Sequence, residues 1–304
     1  MLAVPAPPVR HQQLIVTIYG LYGRSSGDAL PVSVLISMLG TLGYDAPGVR
    51  SSVSRLKAKG VLKSVRRDGV AKYELSDTVM DLFREGDRRI FAPERATPLD
   101  AWAMAVFSVP ESLRNRRHQL RTELSALGFG CVASGVWIAP DQILDQARER
   151  LASRGLMQYV DFFKSDYLFD GPMRPKIAEW WDLKAIDEQF GEFLDLYDGA
   201  GELWSGLVGD DPEAALAEST AELRRYAFQF YVPMLTVWRR FPYRDPNLPL
   251  EYLPENWRGP LVRQTFQAIH RLAAPLAAAY AQELIHGRAD LVSREFQAPV
   301  ASSA

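Results

Sequence analysis

The segment between residues 46 and 75 constrains the fold and function of this chain more than any other. It opens with helical spacing, because Val49, Val53 and Leu56 fall at positions i, i+4 and i+7. These three apolar side chains share one face of a helix, and Gly60 is a typical helix terminator. The sequence therefore predicts an amphipathic helix that buries this face and ends near Gly60.

The opposite face of the predicted helix combines cations with hydroxyl groups and contains no acid. A helix that enters the major groove of DNA needs such a face. Arg donates two hydrogen bonds to a guanine edge, and Ser reaches bases or phosphates. The predicted base contacts are Arg50, Ser51, Ser54 and Arg55.

A basic hairpin follows the helix. Two short alternating runs are joined at Asp68-Gly69, and this dipeptide is typical of a tight β-hairpin turn. Helix, glycine and basic hairpin, in that order, are typical of a winged helix-turn-helix, in which the hairpin (the wing) contacts the DNA backbone or the minor groove. The predicted phosphate contacts are Lys57, Arg66, Arg67 and Lys72.

The charge distribution favours the same function. Residues 46–75 contain eight cations and two acids, a net charge of +6, whereas the whole chain has a formal charge of −2. A basic segment on an acidic protein is typical of a polyanion-binding surface. The alternative, a helix–hairpin scaffold with a solvated basic face, explains the charge less well.

Composition excludes several classes of protein. One cysteine, Cys131, excludes an intramolecular disulfide framework and a cysteine-rich zinc site, and its apolar neighbours predict a buried thiol. The four histidines have no metal-site spacing, and no phosphate-binding glycine loop predicts a cofactor. We expect a cytoplasmic protein, because no run of about 18 apolar residues predicts a membrane span and the N-terminus does not resemble a secretory signal.

The predicted fold is α+β with three domains. A winged helix-turn-helix covers residues 1–92, and Pro93 and Pro98 mark its boundary with the next domain. Residues 99–171 alternate as βαββαβ, which predicts a central ferredoxin-like sandwich with both helices on one face of the sheet. Residues 175–292 have amphipathic spacing and predict an all-helical C-terminal domain.

The helical part is interrupted by FPYRDPNLPLEYLPENWRGP, which contains five prolines and cannot be a continuous helix. The same stretch is rich in large apolar side chains. A disordered linker is poor in such residues, so we expect an ordered loop packed on the helices.

The layout resembles the phenylacetate-degradation repressor family, PaaX. The resemblance rests on LIVTIYGLYG, VRSSVSRLKAKGVLKS, DRRIFAP, VFSVPESLRNRRHQLRTELSALGFG, ASGVWIAP, WWDL and RDPNLPLEYLPENWRGP, which occur in the family's order. It implies a bacterial transcriptional repressor and not an enzyme. It also implies a homodimer that binds double-stranded, palindromic operator DNA and is released by an aryl-acyl-CoA such as phenylacetyl-CoA.

One departure from the family concerns the effector. The family's usual His-Glu-Tyr-Arg-Arg before the proline-rich loop is replaced here by Thr236-Val237-Trp238-Arg239-Arg240. If this region contacts the effector, the chain responds to a different one.

Two groups of residues are candidates for an effector site, because a CoA ester needs cations for its phosphates and an apolar or aromatic slot. The first group is Arg114, Arg117 and Arg121, and the second is Trp238, Arg239, Arg240, Tyr243 and Arg244. Each has a structural alternative. The arginine stems of the first group could cover the edge of the core, and the second group could anchor the proline-rich loop.

A repressor without an effector is one alternative. A metal-dependent nuclease or another small-molecule enzyme on the same scaffold is the alternative from another class. The central sandwich resembles the small nuclease of CRISPR adaptation, whose first strand ends in a metal-binding aspartate. The corresponding strand here, from Ala105 to Val109, carries no carboxylate. The sequence therefore favours a binding protein over a metal-dependent nuclease.

Overall fold

The computed structural model describes residues 9–24, 29–67, 69–91, 99–168 and 170–295. Asp68 of the predicted turn and the predicted boundary prolines Pro93 and Pro98 lie outside the described residues. The fold is α+β, with two small antiparallel sheets and many helices.

The strands are β1 (Leu30–Pro31), β2 (Leu62–Arg67), β3 (Val70–Leu75), β4 (Trp102–Phe107), β5 (Gly130–Ala133), β6 (Val136–Pro140) and β7 (Val160–Ser165). The helices are α1 (His11–Ile18), α2 (Val32–Thr41), α3 (Ala46–Ala58), α4 (Asp77–Ile90), α5 (Arg114–Ala126), α6 (Leu144–Ser153), α7 (Met173–Trp180), α8 (Leu183–Tyr197), α9 (Ala200–Val208), α10 (Pro212–Ala217), α11 (Ala221–Trp238) and α12 (Gly259–Glu295). A π-helical turn, Tyr19–Gly23, follows α1 directly.

The described chain forms two compact units. The first draws on residues within 1–88, 196–238 and 265–304, and the second on residues 89–195 and 239–264. The first unit therefore combines the N-terminal elements with the whole of α11 and most of α12. The three predicted domain boundaries stay a prediction.

In the first unit, α1, α2 and α3 pack together beside a sheet with the strand order β1-β3-β2. The apolar stripe of α1 is fully buried, as Leu14 and Ile18 illustrate. The Tyr19 hydroxyl donates a hydrogen bond of 2.9 Å to the carbonyl of Tyr73 on β3, which ties the end of α1 to the hairpin.

Helix α11 completes the core of this N-terminal part. It packs on α1, and the buried hydroxyl of Thr236 donates to the hydroxyl of Thr17 over 2.8 Å. The Tyr22 and Phe228 rings stack with their centroids 5.9 Å apart. The back of the N-terminal elements is thus covered by a helix about 200 residues later in the chain.

The second unit contains a four-stranded antiparallel sheet with the order β5-β6-β4-β7. Numbered by their order in the chain, these four strands lie as second, third, first and fourth across the sheet. This is the order of a ferredoxin-like split βαβ fold, and the prediction for the central region is confirmed. Leu120 and Leu124 of α5 and Leu151 of α6 pack in one core with the sheet. Both helices therefore lie on the same face.

The other face of this sheet is partly covered by a tryptophan pair at the end of α7. The Trp181 ring lies against Gly130, and its Nε1 donates to the carbonyl of Gly128 over 2.9 Å. Cys131, on edge strand β5, is only partly buried. The expectation of a buried thiol was therefore wrong, because an edge strand has a neighbour on one side only.

The proline-rich stretch is ordered, as predicted. Leu248 and Leu253 are fully buried, and the ring of Phe190 on α8 meets those of Phe241 and Trp257 edge-on at 5.2 and 5.3 Å.

Within the described residues, no helix is long and apolar enough to cross a membrane.

Candidate DNA-binding surface and effector residues

Helix α3 begins and ends with strong local signals. The side chain of Asp45 accepts a hydrogen bond from the Gly48 amide, and Pro47 lies in the first turn. At the other end Gly60 has a φ of 69°, and the Val61 amide donates to the Leu56 carbonyl over 2.9 Å. Such a left-handed glycine ends the helix sharply and turns the chain towards β2.

The two faces of α3 separate as the spacing predicts. Val49, Val53 and Leu56 are at most 4% exposed, which confirms the predicted buried face. The exposed side chains include all the predicted DNA contacts on this helix, namely Arg50, Ser51, Ser54, Arg55 and Lys57. The helix therefore presents three cations and two hydroxyl groups to solvent on a rigid element, and the DNA contacts themselves stay a prediction.

The hairpin contains an acid that partly neutralises its cations. Glu74 on β3 accepts a hydrogen bond from Arg67 over 2.8 Å and lies 3.2 Å from the Nζ of Lys63. Lys63 also reaches the Asp77 carboxylate at 2.9 Å. Lys63 and Arg67 are thus held by acids of the same chain, and the hydrogen bonds that Lys63 donates to Asp77 and then to Glu74 raise its pKa.

The remaining predicted hairpin contacts, Arg66 and Lys72, lie within two pairs of Arg67. Arg66 is exposed, and its Nε donates to the Gly69 carbonyl over 3.3 Å. Lys72 is partly buried on β3, opposite Val65 of β2. The structure therefore presents Arg66 to solvent more fully than Lys72.

Sequence reasoning missed the role of Glu74, although a signal was available. A two-residue turn at Asp68-Gly69 pairs Arg67 with Val70 and therefore places Lys63 opposite Glu74, as the observed register does. Opposite charges in such cross-strand pairs attract each other. Asp45 was missed as well, although an Asp just before Pro47 is typical of a helix N-cap.

The first candidate effector group lies along α5. Arg114 and Arg121 are exposed, whereas Arg117 donates to the Val109 carbonyl over 2.9 Å and to the Glu111 carboxylate over 2.8 Å. Arg117 thus stabilises the start of its own helix. Within the described residues, none of these three arginines lies over the face of an aromatic ring.

The second candidate group divides between the two compact units. Trp238, in the first unit, is 2% exposed, and its ring stacks on Phe266 with centroids 4.3 Å apart and an interplanar angle of 11°. A buried, stacked ring is a core contact in this structure. Its predicted role in effector binding remains untested.

The other members of this group lie in the second unit. The Tyr243 ring is covered by the guanidinium of Arg89, 5.5 Å from its centroid, and Arg244 donates to Gln189. Burial, and then the neighbouring Arg240, lowers the pKa of Arg239 to about 10. Burial, and then Arg244, lowers the pKa of Arg240. Burial therefore disfavours the charges of Arg239 and Arg240, and Arg240 also repels its two arginine neighbours.

Comparison with known proteins identifies the family. The PaaX-like protein model matches residues 10–79, the PaaX protein central Cas2-like domain matches residues 96–176, and the PaaX-like protein C-terminal domain matches residues 181–283. The chain belongs to the PaaX family. The ferredoxin-like sheet described above lies within the region matched by the central domain of this family.

The chain is 28% identical to the transcriptional repressor PaaX of Escherichia coli over 285 residues, which cover 92% of this chain and 86% of that relative. This similarity supports a PaaX-like regulator of transcription and not an enzyme. The solved structure of the uncharacterized protein Rv0674 from Mycobacterium tuberculosis is 22% identical and covers 87% of this chain and 92% of that chain, with a TM-score of 0.43.

Proposed function

We propose that this PaaX-family protein represses transcription by binding a palindromic operator as a homodimer through a winged helix-turn-helix. Helix α3 lies in the major groove, and the hairpin of β2 and β3 contacts the adjacent backbone. The observation that carries this proposal is the solvent-exposed face of α3, on which Arg50, Ser51, Ser54 and Arg55 stand together without an acid.

The homodimer follows from the symmetry of a palindromic site. Two copies of α3 must enter successive major grooves about 34 Å apart, and a two-fold axis between protomers matches the two half-sites. A cytoplasmic location agrees with contact with bacterial DNA and stays a prediction.

The effector proposed is an aryl-acyl-CoA, with phenylacetyl-CoA as the first candidate. Arg239, Arg240 and Arg244 support a ligand with phosphate groups, because bound phosphate would offset the burial and the repulsion that lower the pKa of Arg239 and Arg240. Release then follows by linkage, since a ligand that prefers a conformation unsuited to DNA weakens DNA binding by the same factor that DNA weakens ligand binding.

The first experiment measures binding to DNA from upstream of the protein's own gene, at two salt concentrations, with and without phenylacetyl-CoA. We expect tight binding that weakens steeply with salt and is released by the ester. Equal binding to this DNA and to a scrambled duplex would contradict the proposed function. Specific binding that is insensitive to the ester would support the repressor function and contradict phenylacetyl-CoA as the effector. The departure from the family at Thr236-Val237-Trp238 would then be the place to look for a different specificity.

A second experiment locates the effector site by calorimetric titration with the ester. Arg240→Gln should weaken ester binding about tenfold or more, because a charge-assisted hydrogen bond to phosphate is lost. Arg225→Gln, at an exposed position of α11, is the matched control and should bind as the wild type does. Equal ester affinity in both variants would exclude Arg240 from the site.

A further inference from the structure

The turn between α2 and α3 is built on a Schellman motif whose own hydrogen bonds do not include the Thr41 carbonyl. Gly43 has a φ of 87°, the Tyr44 amide donates to Leu39 and the Gly43 amide donates to Gly40, each over 3.0 Å. These bonds occupy the carbonyls of Leu39 and Gly40. The carbonyl of Thr41, the last residue of α2, needs a donor from outside the motif.

That donor comes from the C-terminal part of the chain. The side-chain amide of Gln229 on α11 donates to the Thr41 carbonyl over 2.8 Å. The Thr41 hydroxyl also lies 3.0 Å from the Tyr280 hydroxyl on α12. Two helices that begin at residues 221 and 259 therefore both hold the last residue of α2.

The groups that hold Thr41 are themselves firmly packed. The Tyr280 ring meets that of Phe228 with centroids 5.4 Å apart, and Phe228 is fully buried between it and Tyr22. Gln229 directly follows Phe228 on α11. The backbone that carries Gln229 is therefore anchored by a buried neighbour on a long helix, as a positioning group requires.

Only residues 42–45 separate the end of α2 from the start of α3. Asp45, at the end of this connection, caps α3 by accepting from the Gly48 amide. Because the connection is only four residues long and the amides of residues 42–44 donate back to α2, we expect a shift of Thr41 to move the first turn of α3. The exposed Arg50 lies one turn further on.

We propose that Gln229 and Tyr280 are positioning residues for operator binding, which hold Thr41 and thereby set the angle at which α3 enters the major groove. The inference rests on the proposed function, in which α3 contacts base edges. It adds that α11 and α12 control those contacts without touching DNA.

The proposal predicts different effects on affinity for the operator and on affinity for non-specific DNA. Base contacts need bidentate geometry, whereas phosphate contacts tolerate small shifts and supply most of the non-specific binding. Loss of the contact at Thr41 should therefore reduce the ratio of operator affinity to non-specific affinity. A loss of folded protein would reduce both affinities together and leave the ratio unchanged.

The test uses the full-length protein and four variants. Gln229→Met keeps the length of the side chain and removes its donor, and Gln229→Lys restores a donor at the C-terminal end of α2, where a cation is favourable. Tyr280→Phe removes the hydroxyl and keeps the ring. Gln264→Met makes the same Gln-to-Met change at an exposed position of α12 and is the matched control.

We expect Gln229→Met and Tyr280→Phe each to lower the affinity ratio about tenfold, the value of one well-formed hydrogen bond. Gln229→Lys should recover most of the ratio, and Gln264→Met should leave it unchanged. An unchanged ratio in Gln229→Met, with a wild-type protein that distinguishes operator from scrambled DNA, would overturn the inference and leave the proposed function intact.

Hydrogen exchange tests the structural half of the proposal without DNA. The amides of Gly43 and Tyr44 should exchange faster in Gln229→Met than in Gln264→Met, because the motif loses its anchor. Unchanged exchange would overturn the inference even if the wild type failed to select an operator. A wild-type protein that does not distinguish operator from scrambled DNA would contradict the proposed function and not this inference.

Discussion

The carboxylate of Glu74 accepts a hydrogen bond of 2.8 Å from the guanidinium of Arg67, although only 10% of the Glu74 side chain is exposed. The bond spans the hairpin of β2 and β3. A nearly buried acid with two cations beside it holds these strands together more firmly than a solvent-exposed pair would.

Glu74→Gln should lower the free energy of unfolding by about 1 kcal/mol, because hydrogen bonds to a charged group are lost and the partners keep some access to water. Urea denaturation measures the change. Glu111→Gln, which breaks the ion pair of an 81% exposed side chain with Arg117, is the matched control and should be nearly neutral. Equal effects of the two variants would contradict the structural role of Glu74.

Arg50→Gln should cost roughly 1–3 kcal/mol of operator binding and relax sequence preference, because its exposed position suits a base contact. Lys57→Gln should weaken binding to all duplexes and reduce the salt slope by about 1. Binding titrations at several salt concentrations separate the two effects. Equal losses of affinity for operator and scrambled DNA would contradict a base contact and show that Arg50 acts through its charge alone.

Arg67→Gln should reduce the salt slope less than Lys57→Gln does. Arg67 is held by Glu74 in the free protein, so binding to phosphate requires this pair to be broken, whereas Lys57 is exposed. The same titrations measure both slopes. A larger change for Arg67 would mean that the pair opens on DNA.

Trp238→Ala should lower the free energy of unfolding by about 3–5 kcal/mol, since it removes a buried ring stacked on Phe266. Trp238→Phe retains an aromatic ring and should cost less. Denaturation combined with ester titration distinguishes core from ligand contact. A stable Trp238→Phe variant that no longer binds the ester would assign Trp238 to the effector site.

Stability should also depend on pH through His270, whose Nδ1 lies 2.7 Å from the Tyr231 hydroxyl. Burial lowers the pKa of His270 from its ordinary value of 6.5. Below that pH the unfolded chain binds a proton that the folded chain resists, so the free energy of unfolding falls as the pH drops below about 6.5. Above it His270 adds no pH dependence.

Urea denaturation at pH 7.5 and pH 5.5 measures this effect. His270→Gln should reduce the difference between the two conditions, and His286→Gln, at an exposed position, should retain it. A wild-type protein equally stable at both pH values would contradict the assignment.

Local patterns predicted the elements that carry the proposed function. The spacing of Val49, Val53 and Leu56 determined which face of α3 is buried, and the strand order of the central sheet followed from the βαββαβ pattern. The apolar content of the proline-rich stretch predicted its burial. The buried face of α3 depends on residues close together in sequence, whose period sets the face that they occupy. The strand order depends instead on the succession of strands and helices along the chain.

Only the tertiary structure decided which distant groups meet. The packing of α11 on α1, the hold of Gln229 on Thr41 and the stacking of Trp238 on Phe266 join side chains whose own neighbours in sequence do not specify a partner. Periodicity identifies the apolar face of a helix, but many faces are equally apolar. The choice among them depends on the fit of whole surfaces, so it becomes visible only when the chain is folded.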